Sequence, residues 1–314
     1  MNNNKISLSL FIDVYRTYVT VTQCNNDTKG LLYINSTEYP LTTSTLANNL
    51  NTQGIEELQT LIRQLNYSID EINVSLPNNH FVTTQIPYKD KMIGDELKEL
   101  IELEIKYHYE NTNIFNLNCI LTPFFDNNKS PDYIFLTLFE KRINEILNDL
   151  FVGNKKVNKI LTSQFAALNS FIYNYPETSN DNVILYGIYE NGLEISLLNK
   201  GKPVTIYYKS FDDTNNLLQV ALDEYNNLRT DSPDTQYRVV AYGNRLTADI
   251  LEKLDLSIGG NNVGRLNAFR QYTTQLDDRT KKYCSRTAHI YPAVLGASLP
   301  DFTEHILLFP DENN

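Results

Sequence analysis

The sequence predicts a duplicated α/β fold of two units, with a smaller α+β module inserted in the first. Three stretches carry that prediction. Leu8–Cys24 reads as a strand, a turn and a returning strand: Leu8, Leu10 and Ile12 alternate with their neighbours, Tyr15, Arg16 and Thr17 interrupt, and Tyr18, Val19 and Val21 resume the apolar pattern. Val183–Leu198 repeats this without a gap, setting Asp13 on Gly187, Tyr15 on Tyr189, Val19 on Leu193 and Val21 on Ile195, around a favourable hairpin turn at Glu190-Asn191-Gly192. Between the two, Pro77–Phe151 reads as strand, helix, two strands and helix, a compact α+β arrangement.

The elements follow in order. Leu31–Tyr39 reads as a strand stopped by Pro40, and Leu58, Leu61, Ile62 and Leu65 recur at helical spacing over Ile55–Asn66. Ile72–Leu76 is a short alternating strand ended by Pro77. In the module, His80–Ile86 is a strand, and Ile93–His108 a helix whose buried stripe is Leu97, Leu100, Ile101, Ile105 and His108. Phe115–Phe124 and Tyr133–Phe139 are strands joined by a turn over Asp126–Asp132, and Glu140–Phe151 is a helix. Val157–Leu161 and a helix over Ser163–Tyr173 complete the first unit. The polar run Pro176–Asn182 marks the boundary. After the second hairpin come a strand at Val204–Tyr208, a helix through Leu217–Leu228 and a loop at Thr230–Thr235. The strand Tyr237–Tyr242 ends at Gly243, and a helix runs through Leu246–Leu254. Tyr291–Leu299 is a closing helix whose small Ala293, Gly296 and Ala297 allow close packing, before a short, partly apolar tail from Asp301.

This layout resembles the PilM/FtsA-like branch of the actin-like ATPase (ribonuclease H-like) superfamily. Beyond the paired hairpins, the resemblance rests on SLPNNHFVTTQIPY (Ser75–Tyr88) followed by DELKELIELEIKYHY (Asp95–Tyr109), on the strand–Gly243–helix passage, and on YPAVLGASL (Tyr291–Leu299). It implies two actin-like domains, 1–175 and 183–314, with a subdomain inserted at about 77–151. In that superfamily each half opens on an Asp-x-Gly hairpin that approaches nucleotide phosphates, where glycine leaves room for the backbone. Here Asp13 is kept with Tyr15 in the glycine's place, while Gly187 and Tyr189 stand for the acid and glycine of the second copy. Two tyrosines there obstruct a phosphate cradle. The adenosine-binding turn, usually Gly-Gly, retains only Gly243, followed by Asn244 and Arg245. The resemblance therefore implies a relic nucleotide cleft at Asp13, Arg16, Gly243 and Asn244, with the alternative that ATP with Mg still binds there.

Read without the resemblance, the same residues have plainer roles. Asp13 suits a carboxylate bonded to nearby backbone amides, Arg16 a solvated turn residue, and Gly243 a backbone conformation. His80, His108, His289 and His305 form no metal-ligand spacing, and no GxSxG, Walker A or GxGxxG pattern occurs. No catalytic residue and no metal site is expected. A net charge of −11 argues against nucleic acid and anionic membrane as partners. No apolar run reaches the ~18 residues of a membrane span, and the amino terminus lacks a signal-peptide cleavage pattern. Cys24, Cys119 and Cys284 are widely spaced and odd in number, as expected of reduced thiols in a cytoplasmic protein.

Three function classes remain. The first is a non-catalytic actin-like scaffold or adaptor. The resemblance implies that it holds a cytoplasmic segment of a membrane-protein partner between the first domain and its inserted subdomain, in an assembly or secretion machinery. A homodimer is left open. The second is a drifted but still ATP-binding protein. The third is an enzyme on the same core, a sugar-kinase relative or a nuclease. Against the nuclease stand the negative charge and the lack of a second carboxylate opposite Asp13 for a pair of divalent ions.

Overall fold

The computed structural model describes residues 5–13, 16–25, 28–37, 52–87, 95–108, 117–124, 133–151, 156–190, 192–211, 216–231, 236–260, 263–302 and 306–308. Tyr15, Pro40, Asn191, the expected start of a helix at Ile93 and the expected turn at 126–132 lie outside the described residues.

Two sheets share one plan. The first is built on β1 (Lys5–Ile12) and β2 (Thr17–Asn25), an antiparallel hairpin continued by antiparallel β3 (Thr28–Thr37). On its other side β1 pairs in parallel with β4 (Glu71–Leu76), and β4 with β8 (Val157–Thr162). The second repeats this order: β9 (Val183–Tyr189) and β10 (Gly192–Asn199) form the hairpin, β11 (Lys202–Ser210) flanks β10, and β12 (Arg238–Tyr242) and β13 (Val263–Arg265) follow β9 in parallel. The inserted module carries the third sheet. Its β5 (Val82–Pro87), β7 (Tyr133–Glu140) and β6 (Leu117–Phe124) pair antiparallel, and β15 (Ile306–Leu308) adds to β6. β14 (Tyr272–Thr274) pairs in parallel with β3, so the late chain adds a strand to the first sheet as well as to the module.

Helices cover both faces of the two main sheets, as strands buried on both sides require. α1 (Thr52–Gln64) and α3 (Lys141–Leu150) contribute Leu58, Ile143 and Leu147 to a core with Leu8, Leu10, Val19, Val21 and Val74 of the first sheet. α5 (Leu217–Asp231) and α6 (Ala248–Ile258) close the corresponding face of the second, through Leu217, Ala221, Tyr225 and Leu254. The remaining core joins both sheets: Phe11, Tyr18 and Leu31 of the first and Val183, Leu185 and Tyr189 of the second gather with α4 (Ser163–Asn174) and α8 (Pro292–Ala297). The module's α2 (Asp95–His108) buries Ile101 and Ile105, as its stripe predicts, while Leu103 and Tyr107 face solvent.

Capping explains several boundaries. Thr162 accepts the Phe165 N–H at 3.0 Å and Thr247 the Ile250 N–H at 3.2 Å, each a side chain standing in for the missing helical acceptor. α6 stops at Gly259, whose φ of +112° is the left-handed C-terminal conformation. The run expected as a linker is ordered instead: Pro176–Asn180 forms a 3-10 helix with Thr178 buried, pinned by the Glu177–Arg270 ion pair.

The strand registers correct the alignment of the two hairpins. Ile12 pairs with Thr17, and beyond them the Asp13 N–H donates to the Arg16 carbonyl at 3.0 Å. In the second hairpin Ile188 pairs with Leu193 and Tyr189 with Gly192. The structural equivalent of Asp13 is therefore Tyr189, two positions beyond the gapless match, and Gly187 corresponds to Phe11. The gapless match followed the apolar alternation, which a shift of two leaves unchanged.

Candidate functional site

The four residues expected at the cleft come together where the two hairpin ends meet. Asp13, buried at the end of β1, accepts a hydrogen bond from the Asn244 side-chain amide just past β12. Arg16 closes the same turn through its carbonyl. Gly243 has φ of +110° and lies so close to β9 that an added Cβ would fall 2.8 Å from the Ile188 nitrogen. Its N–H donates to the His289 carbonyl at 2.8 Å, and the next N–H but one, that of Arg245, donates to the Ile188 carbonyl at 3.2 Å. The glycine is thus required by backbone contact, whether or not a ligand binds.

Opposite Asp13 stands Tyr189. Its ring lies edge-on to Phe11 at 5.8 Å and to Tyr242 at 6.3 Å between centroids, and its buried hydroxyl has no hydrogen-bond partner among the described residues. Asp13, Pro77, Asn78, Tyr189, Glu194 and Tyr208 line a partly open space of about 20 Å³. That holds about one water molecule. A cavity of about 400 Å³ opens on the far side of Tyr189, bounded by the Glu190–Arg245 ion pair, Leu217, Thr247, Ile250 and Lys253.

A second carboxyl does lie near Asp13, from a position the sequence did not single out. Glu194 on β10 pairs across the ladder with Gly187, and Tyr242 pairs with Gly187 on the other side. Because Gly187 has no side chain, its two neighbours meet over it. The Tyr242 hydroxyl donates to Glu194 Oε2 at 2.7 Å, and an added Cβ at Gly187 would lie 2.6 Å from that same carboxyl oxygen. Ser163 at the start of α4 donates to the other oxygen. Burial pushes the Glu194 carboxyl up to about 8, with the nearby Asp13 charge adding to the rise against the two hydrogen bonds. The group is protonated at neutral pH and offers no charge to a cation. Burial holds the Tyr242 hydroxyl well above its usual range, so it remains a donor. The clue in the sequence was a glutamate inside GLEISLL, a strand too apolar to leave it unpartnered.

Among the described residues no three His, Cys, Asp or Glu side chains gather to hold a metal ion, and no helix is long and apolar enough to cross a membrane. Cys24 and Cys284 are unbridged.

No family model and no curated protein matches the sequence. Solved structures do. A chain of the PilM–PilN type IV pilus biogenesis complex superposes with a TM-score of 0.73 at 13% identity, over 93% of this chain and 97% of that one. The fold is that of the actin-like ATPases. A second structure, a Bacteroides thetaiotaomicron protein described as having an actin-like ATPase fold and unknown function, gives a TM-score of 0.53 at 13% identity, over 90% of this chain and 96% of that one. The actin-like architecture accounts for the paired sheets of matching strand order and for the cleft at the two hairpin ends.

Proposed function

We propose that this chain is a non-catalytic actin-like adaptor that holds a segment of a protein partner belonging to a membrane-bound assembly, and that it works in the cytoplasm without ATP or Mg. The observation that carries the reading is Tyr189 in the place of the second hairpin's acid. Its ring closes against Phe11 and Tyr242, and it lines a space of about 20 Å³ beside Asp13. Phosphate groups need room for close backbone approach, and a metal-bound water needs charged carboxylates. Among the described residues Tyr189 and Glu194, held toward its neutral form, supply neither, which supports a body that works without Mg-ATP between the hairpins.

Two further observations support a binding role. The superposition is with a chain from a complex of PilM with PilN. The module also meets the body of the protein as a firm junction, which a binding groove needs. Phe81 and Phe139 stack edge-to-face at 5.4 Å within the core of the first sheet, and the Asn78 amide donates to Gln164 on α4 at 2.9 Å. An extended, mainly apolar segment lying in that groove is the expected cargo.

A second reading, residual nucleotide binding, is favoured by one feature: the cavity of about 400 Å³ beyond Tyr189 falls in the ~300–1,000 Å³ range of cofactor pockets. Isothermal titration with Mg-ATP separates the two. No saturable heat up to millimolar nucleotide is expected, and a dissociation constant in the low micromolar range, about −8 kcal/mol, overturns the reading. For the partner, the full chain and a variant lacking 77–151, shown by circular dichroism to be folded, are compared in pull-downs from membrane extracts. Equal capture by both removes the groove.

A further inference from the structure

At the opposite edge of the first sheet, far along the strand order from the module, a second surface has its own chemistry. β14 is the outermost strand of that sheet. Thr273 and Thr274 turn their hydroxyls back onto β3, donating to the Lys29 and Leu31 carbonyls at 3.3 and 3.1 Å, while Thr273, Thr274 and Gln275 remain exposed along the outer rim. A sheet edge of this kind leaves backbone donors and acceptors for one more strand.

Beside that edge lies a cavity of about 210 Å³, between β14 and α7 (Asp278–Thr287). Leu31, Phe269, Tyr272, Leu276 and Cys284 make it mainly apolar, and Lys281 stands on its wall. It is smaller than the ~300 Å³ at which pockets begin to hold drug-sized molecules, and it suits a single leucine- or phenylalanine-sized side chain. The helix beside the cavity is basic. In a chain of net charge −11, residues 277–287 carry Arg279, Lys281, Lys282 and Arg286 against Asp277 and Asp278. Asp277 is committed to capping the helix, accepting the Thr280 N–H at 3.0 Å. Asp278 reaches Lys281 only at 3.7 Å from a fully exposed position, a contact worth little. Arg279, Lys282 and Arg286 make no ion pair among the described residues.

We propose that the β14 edge and its cavity bind an extended peptide segment in which one large apolar side chain is flanked by acidic residues. The segment adds to the sheet by main-chain hydrogen bonds, its apolar side chain enters the cavity, and its carboxylates meet the cations of α7. The edge supplies affinity for any extended chain; the cavity and the cations select the sequence. This site stands apart from the groove proposed above and does not depend on whether nucleotide binds.

The test uses the full chain and a fluorescein-labelled seven-residue peptide: leucine between two valines, with two glutamates on each side. Two comparison peptides carry serine for leucine, or lysines for the glutamates. By fluorescence anisotropy the first peptide is expected to bind at least tenfold more tightly than either comparison, and progressively less tightly with added salt. Lys281→Glu combined with Lys282→Glu, both exposed, should invert the preference between glutamate and lysine peptides. Ser285→Trp, at the exposed cavity rim, should abolish the advantage of leucine over serine, with the thermal midpoint unchanged in each variant. Equal binding of all three peptides, binding of none, or an unchanged preference in the charge-reversed variant overturns the proposal. Sedimentation velocity covers the other occupant: a dimer of the unmodified chain that dissociates on Ser285→Trp assigns the edge to a second copy and overturns it as well.

Discussion

Two side chains over one glycine set the properties of the site between the hairpin ends. Gly187 has to be bare because Glu194 and Tyr242 occupy the volume above it. Gly187→Ala is expected to lower stability by about 1–3 kcal/mol, the usual cost of overpacking a filled core, read as a drop in the urea midpoint at constant slope. Glu194 gives a pH signature. Its unfolded value is about 4.3 and its folded value is about 8. Between the two, the folded protein holds one proton more than the unfolded chain, so stability falls as pH rises from about 4 to about 8, by at most about 1.4 kcal/mol per pH unit. Glu194→Gln keeps the shape and removes the titration; the variant should lose that slope, and a slope retained in the variant would assign it to another group. Tyr189→Phe removes a buried hydroxyl with no partner among the described residues and should raise stability by about 1 kcal/mol. A loss instead would mean that the 20 Å³ cavity holds a water bonded to that hydroxyl. At this scale it was the resemblance, not local pattern, that set Asp13, Arg16, Gly243 and Asn244 together, and they do meet although Asp13 and Asn244 lie 231 positions apart. Glu194 was not readable because its significance depends on what lies across two ladders, and a strand's neighbours are not written beside it.

At the scale of elements, periodic segments were legible and short ones were not. Both hairpins, the alternation of Ile72–Leu76 and the apolar spacing of Leu58–Leu65 follow from local pattern, and each became the element expected. β13, β14 and β15 have three residues each, too few to show alternation. α7 was invisible because DRTKKYCSRT buries only Cys284 and so shows no apolar face. The hairpin register was misread by two for a related reason: period-2 patterns fix which face a residue takes, not which residue it opposes. Small residues in the closing helix were read correctly as a packing device. Gly296 lies against the Ala166 carbonyl of α4 with no room for a Cβ, and α8 cannot move away without opening the shared core. Gly296→Ala is expected to cost more than about 3 kcal/mol and to leave the variant unfolded or aggregated at 37 °C by circular dichroism and light scattering; a native-like midpoint would show that α8 can slide.

Across the whole molecule, order along the chain and order in space part company after the second hairpin. The division into 1–175 and 183–314 was drawn from the duplication. Yet Tyr291, Ala293, Val294 and Leu295 are fully buried in the core that holds Phe11, Tyr18, Phe165 and Phe171, and the Ser75 hydroxyl donates to the Ala293 carbonyl at 3.0 Å. A fragment of residues 1–175 is therefore expected to show poorly dispersed amide resonances alone and to gain dispersion when co-expressed with residues 263–314; a well-dispersed spectrum from 1–175 alone would contradict this. The β3–β14 pairing also has a consequence in time. Thr274 reaches Leu31 across 243 positions of sequence, and a ribosome adding ~5–20 residues per second needs about 12–50 s to span them. For that interval the outer rim of β3 is a nascent strand without its neighbour, and the first sheet of each new molecule gains that strand only after the ribosome has passed residue 274.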